Sequence, residues 1–118
     1  MPLVQGNYAF GRAFEHVVVL EAFRLNDYGQ KDFRFSYLRT KDGAEIDLIV
    51  ERPGSQDVLV EIKSSERVDE RDCRSIERFL PDFPAAEGFC LSLDPHAKKI
   101  GNVSCFPWQR GLKEIGLI

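Results

Sequence analysis

Cysteine is scarce in this 118-residue chain, and the three present, Cys73, Cys90 and Cys105, form no C-x-x-C pair and no cluster with histidine. Their odd number and spacing indicate neither a disulfide framework nor a zinc site. Cys90 and Cys105 lie in apolar, strand-like runs and are expected to act as small core residues, which fits a reducing cytoplasm. Long apolar stretches are also missing. None approaches the roughly 18 residues of a membrane span, and no charged-then-apolar leader opens the sequence, so no membrane partner is expected. Histidine is limited to His16 and His96, which stand in no ligand spacing. Nor is there an excess of positive charge, since 16 basic residues against 19 acidic ones leave a formal net charge of −3. The chain as a whole is therefore not the basic body of a strong nonspecific nucleic-acid binder. A nuclease is not excluded, because active sites of that kind are themselves acidic and another domain can hold the polymer.

What is present reads as one globular domain over residues 1–118, with no repeat, low-complexity tract or internal linker. Hydrophobic residues make up 43% of the chain, and nine phenylalanines point to an aromatic core. A chain of this length buries roughly two-thirds of its unfolded surface, enough for a core without disulfides.

The periodicity predicts the order α-β-β-β-α-β-β-α. Phe10, Phe14, Val17, Val18, Ala22 and Leu25 recur at helical spacing between about Gly6 and Asn26, and the cluster Asn26-Asp27-Tyr28-Gly29 is a stop signal with Gly29 suited to a left-handed cap. Strands are expected at Phe33–Arg39 and Ala44–Glu51, joined through Asp42-Gly43, a hairpin signal. A third, Asp57–Lys63, follows a turn-rich segment, and the three suggest an antiparallel meander. A helix over Asp69–Leu80 carries Cys73, Ile76, Phe79 and Leu80 on one side, with Pro81 and Pro84 beyond its end. Strands at Gly88–Leu93 and Asn102–Phe106 flank a polar loop, and a short helix spans Trp108–Ile115. The arginines Arg67, Arg71, Arg74 and Arg78 alternate with acids and read as a solvated helix face. Trp108 reads as a core anchor, and Ser64 and Ser65 as the turn and cap before the next helix.

Strand alternation puts Ala44, Ile46, Leu48 and Val50 on one face and Glu45, Asp47, Ile49 and Glu51 on the other. In the third strand Asp57, Leu59, Glu61 and Lys63 share a face. With the apolar faces aligned, Asp47, Glu61 and Lys63 point into one space. Two close carboxylates suit Mg²⁺ or Mn²⁺, which lowers the pKa of a bound water, and a neighbouring lysine can orient that water or stabilise charge on a phosphate. The same pattern also describes an ordinary exposed sheet face with cross-strand ion pairs. Glu15 falls at the edge of the first helix's apolar face, where a carboxylate needs a partner such as a metal, Lys63 or an arginine. A boundary glutamate reaching to solvent is the alternative.

Four stretches resemble the PD-(D/E)XK (restriction-endonuclease-like) superfamily: Gly11-Arg12-Ala13-Phe14-Glu15, Tyr37-Leu38-Arg39, Gly43-Ala44-Glu45-Ile46-Asp47 and Val60-Glu61-Ile62-Lys63-Ser64-Ser65. More narrowly, they look like the C-terminal domain of uncharacterised bacterial and archaeal AAA-type ATPases. The resemblance covers nearly the whole chain and implies a restriction-endonuclease-like core, with a mixed sheet of about five strands flanked by helices. It makes Asp47 and Glu61 the metal-binding acids, Lys63 the lysine of the E-x-K signature and Glu15 the glutamate supplied by the first helix. Ile46 stands where the literal motif has proline. The implied activity is metal-dependent hydrolysis of nucleic acid, DNA before RNA. The alternatives are a non-cleaving accessory domain that binds nucleic acid or protein for such an ATPase, and a structural domain with a relic site. The chain has no G-x-x-x-x-G-K-[ST] phosphate loop, so an ATPase module would lie elsewhere in the same or another chain. A start so close to the first helix is natural for a C-terminal fragment and equally for a stand-alone domain.

Overall fold

In the computed structural model, which describes residues 8–118, the first helix (α1) runs from Tyr8 to Gly29. The expected helix start at Gly6 lies outside the described residues. Phe14, Val18 and Ala22, at steps of four, are its buried positions, with Phe10, Val19 and Leu25 packed beside them. Val17, expected in the same stripe, is about half exposed; it sits roughly 100° from Val18 and faces away from the sheet. Helix exit also departs from expectation. The left-handed residues are Gln30 (φ 51°) and Asp32 (φ 60°), and Gly29 is not among them. Asn26 makes the exit possible, because its side-chain amide accepts from the Phe33 N–H and donates to the Phe33 carbonyl.

The chain then forms β1 (Arg34–Arg39), β2 (Glu45–Glu51) and β3 (Val58–Lys63) as the expected antiparallel meander. A 3₁₀ turn (Glu70–Cys73), α2 (Arg74–Phe79) and a second 3₁₀ turn (Leu80–Asp82) take the place of one continuous helix. Asp69 caps this segment by accepting from the Arg71 N–H, while Asp72 accepts from the Asp69 N–H. Next come β4 (Glu87–Ser92), β5 (Lys98–Ile100), β6 (Val103–Pro107) and α3 (Trp108–Ile115).

The six strands make one mixed sheet in the order β1-β2-β3-β4-β6-β5. β3 pairs parallel with β4 across the α2 crossover, and β4 pairs parallel with β6. The one strand beyond the five expected, β5, lies in what composition presents as a polar loop. Only three residues long, it alternates too briefly to register as a strand, and it pairs with β6 around the left-handed Gly101.

Two cores sandwich the sheet. α1 and α3 cover one face over Leu48, Val50, Val58, Val60, Ile62, Phe89 and Leu91. α2 covers the other over Ile46, Leu59, Cys90, Val103 and Cys105. β3 is thus buried on both faces along almost its whole length, as central strands with helices on both sides are. Trp108 anchors α3 to α1 through an edge-on contact with Phe14 at 6.3 Å.

α3 lies close to the sheet because Gly111 presents no side chain to it. A Cβ at that position would come 2.0 Å from Leu91 Cδ2, an atom of a fully buried residue. Gly111→Ala is expected to destabilise the fold by about 1–3 kcal/mol, outweighing the roughly 1 kcal/mol by which alanine favours a helix interior. Urea unfolding checks this. An unchanged or higher midpoint would mean that the α3–β4 contact yields.

Candidate functional site

β2 and β3 pair at Val50–Val58, Ile49–Leu59 and Leu48–Val60, where the ladder ends. One residue further, Asp47 fills the opening with its side chain. Its Oδ2 accepts the Ile62 N–H at 2.8 Å, a donor that a continued ladder would give to a β2 carbonyl. On the other side of β2 the register with β1 slips, since Ser36 faces Ile49 while Leu38 faces Ile46. Asp47 and Leu48 therefore stand together opposite Tyr37, which is a β-bulge, a device that bends a strand and re-aims a side chain. The bulge also corrects the uninterrupted alternation expected for β2. Ile46 packs under α2 and Leu48 under α1, so the apolar residues of this strand serve both cores.

Glu61 lies next to this opening on the central strand and is only 3% exposed. Its Oε2 is buried and has no hydrogen-bond partner among the described residues. Burial pushes its carboxyl far above the ordinary 4.5; contact with and repulsion from Asp47 push it further, and Lys63 opposes the shift. Two ionised carboxylates have no proton to share, so the orphaned oxygen requires either a proton or a cation. Glu15 enters from α1, half-buried. Its carboxyl is raised first by burial, then by Asp47 and Glu45, against the pull of Arg12 and Lys63. Gly11, one turn before Glu15, faces Ser64 just past Lys63, with 3.5 Å between its Cβ position and the serine hydroxyl. This contact brings the start of α1 to the end of β3.

The four residues singled out in the sequence, Glu15, Asp47, Glu61 and Lys63, thus sense one another electrostatically at one end of the sheet. Five further polar residues stand beside Glu15 and Asp47. A pocket of about 300 Å³ is lined by Arg12, Glu15, His16, Tyr37, Arg39, Glu45 and Asp47, with Val19 and Ile46 beneath. Glu45 adds a fourth carboxylate and pairs with Arg39 at 3.2 Å. Arg12 follows Gly11 and precedes Glu15 by three, so both lie on one helix face. Tyr37 and Arg39 alternate along β1 onto one face. Those spacings were the available signal for these lining residues. His16 belongs to the lining but is exposed, and His96 lies outside it. The arginines of the 67–78 segment are exposed as expected, two of them paired as Arg71–Asp69 and Arg78–Asp42.

A larger hollow of about 460 Å³ lies at the other end, beside Pro81, Phe83 and Pro84. Its acids already have partners, Glu77 accepting the Asn102 N–H and Glu87 pairing with Arg52. Glu15 and Asp47 line the smaller pocket, whereas Lys63 and Glu61, which carries the unsatisfied oxygen, are not among its lining residues. The acids of that pocket, Glu15, Glu45 and Asp47, offer carboxylate oxygens, the ligands that hard divalent cations take.

The profile of a domain of unknown function (DUF4143) matches residues 10–110, and the chain belongs to that family. No curated protein and no solved structure matches it.

The raised carboxyl of Glu61 gives stability a defined dependence on pH. Above 4.5 the unfolded chain releases this proton while the folded state retains it, so stability falls as pH rises from 4.5 toward the raised folded value. Glu61→Gln, which needs no proton, is expected to be more stable than wild type by on the order of 1–3 kcal/mol at pH 8 and to match it near pH 4. Urea midpoints across that range test this. A constant difference between the two proteins at every pH would contradict it.

Proposed function

We propose that this member of the DUF4143 family is a PD-(D/E)XK-type phosphodiesterase that hydrolyses nucleic acid, DNA in preference to RNA. In this reading Asp47, Glu61 and Glu15 hold Mg²⁺ or Mn²⁺, and Lys63 works beside them. The observation that carries the reading is the orphaned, buried Oε2 of Glu61 next to Asp47, which a cation satisfies without a proton. A purely structural acid on a central strand would be expected to have a permanent partner.

When bound, the cation polarises the phosphodiester and makes hydroxide available near neutral pH. The remaining roles fall to side chains of this chain. The Asp47 carboxylate is held in place by the Ile62 N–H, so its orientation is fixed before any ligand arrives. The Lys63 ammonium lies within electrostatic reach of both Glu61 and Glu15, where it can position the attacking water or stabilise negative charge on phosphate. Arg12 and Arg39 stand at the pocket wall and supply the positive rim that a polyanion needs despite the chain's net negative charge. Three free buried thiols fit a reducing location such as the cytoplasm. No helix among the described residues is long and apolar enough to cross a membrane.

A second reading, a non-cleaving accessory domain of an AAA-type ATPase, draws on one observation. The outer side of α1 exposes Val17, Leu20, Phe23 and Tyr28, an apolar face of the kind that meets protein. Cleavage separates the two readings.

Labelled single- and double-stranded DNA and RNA, incubated with Mn²⁺ or Mg²⁺ against a chelator control, are expected to show cation-dependent cleavage of DNA. Lys63→Ala should lower the rate at least ~100-fold, and Glu61→Ala should abolish cleavage, each with an unchanged circular dichroism spectrum. Folded protein that cuts none of these substrates would move the assignment to the accessory domain.

A further inference from the structure

All three cysteines of the chain meet on the face of the sheet away from α1, far apart as they are in sequence. Cys73 ends the 3₁₀ turn before α2, Cys90 lies in β4, and Cys105 lies opposite Cys90 in β6. None exceeds 2% exposure. Their sulfur atoms lie within 4.8 Å of one another, with Cys73 Sγ and Cys105 Sγ 3.6 Å apart. None is in a disulfide. The surroundings are Leu59, Ile76, Phe79 and Val103, and no histidine or carboxylate among the described residues joins the group.

Core filling alone does not require this arrangement. A cysteine in a core behaves as a small hydrophobe, and valine or alanine would fill the same space on any of the three elements. Three thiols with overlapping reach are, in contrast, a ligand set. Metal–sulfur bonds of about 2.3 Å arranged trigonally put the sulfurs about 4.0 Å apart, inside the 3.6–4.8 Å range seen here. Soft thiolate ligands select Cu⁺, Zn²⁺ or iron–sulfur clusters. Structural zinc takes four ligands, and this buried trio offers three, with apolar neighbours where a fourth would enter. Monovalent copper accepts three.

We propose that Cys73, Cys90 and Cys105 form a three-sulfur binding site for a soft monovalent metal ion of the Cu⁺ type, which clips the start of α2 to β4 and β6. Binding replaces S–H bonds with metal–sulfur bonds and releases the thiol protons to solvent, with no change in oxidation state. Lys98 stands opposite Cys105 in the β5–β6 ladder, its ammonium paired with Asp94 at 2.7 Å. The site shares no residue with the carboxylate pocket and is independent of the nuclease reading.

The test uses the whole reduced chain, titrated anaerobically with Cu⁺ in competition with a chromophoric Cu⁺ chelator, with Zn²⁺ titrated in parallel. One equivalent of Cu⁺ should be retained, with an ultraviolet thiolate-to-metal band and a rise in melting temperature. Glu61→Gln should bind the same equivalent, and Cys90→Ala or Cys105→Ala should lose it. Because an alanine variant can fail to fold, a second measurement uses wild type only. Bound Cu⁺ should slow alkylation of all three thiols together at least ~10-fold in mild denaturant, as expected for a ligand that binds only the folded state. No Cu⁺ retained against the chelator, alkylation unaffected by Cu⁺, or retention of Zn²⁺ in place of Cu⁺ would each overturn the proposal.

Discussion

Two carboxylates, Asp47 and Glu61, sit where the central β-ladder opens, one of them almost fully buried with an oxygen that no other described residue satisfies. Much of the architecture at this end of the sheet follows from keeping them there. Burial of a charge without a partner is strongly unfavourable, so the neighbours are charged and close. Lys63, on the same strand as Glu61, opposes the rise of its carboxyl, and Arg12 on the overlying helix opposes that of Glu15. The bulge at Asp47–Leu48 lets β2 contribute an acid at this point without losing the apolar residues on either side of it. Gly11 of α1 faces Ser64 at the end of β3.

The rest of the molecule gives that opening a rigid frame. β3 lies between an antiparallel partner and a parallel one, and both its faces are covered. A side chain at its end therefore has little freedom to relax. α3 is pressed against β4 through Gly111, and Arg52 ties the β2–β3 turn to the end of α3 by donating to the Ile115 carbonyl at 3.1 Å. Rigid support of this kind is what a preorganised site needs, because groups fixed in advance do not reorganise when charge develops.

Much of this was legible in the chain itself. Asp42-Gly43 marked the hairpin, helical spacing of Phe14, Val18 and Ala22 marked α1, and strand alternation marked Asp47, Glu61 and Lys63 as a candidate group, of which Asp47 lines the pocket. What escaped has physical causes. The bulge depends on how β1 and β2 pair, and strict alternation written along β2 has no means of showing it. β5 is three residues of mixed polarity, held by its pairing with β6 more than by its own pattern. Asn26, not Gly29, organises the exit from α1, since a side chain bracketing Phe33 holds Gln30 and Asp32 in left-handed conformations. The meeting of Cys73, Cys90 and Cys105 is tertiary: Cys90 and Cys105 become neighbours only once β4 and β6 pair, and Cys73 only once α2 packs over them. Arg12, Tyr37 and Arg39 were visible as motif residues, and their place in the pocket wall emerged only with the packing of α1 on β1 and β2.

The central claim is that the Asp47–Glu61 opening binds a divalent cation in preference to the many surface acids. Substoichiometric Mn²⁺ added to ¹⁵N-labelled protein tests it most directly, because paramagnetic broadening reports distance from the ion. Amide signals of Asp47, Glu61, Ile62 and the Gly11–Glu15 turn should broaden first, and Glu61→Gln should weaken the effect. Broadening spread across exposed acids such as Asp27 and Asp69–Asp72, unchanged by that substitution, would contradict the account.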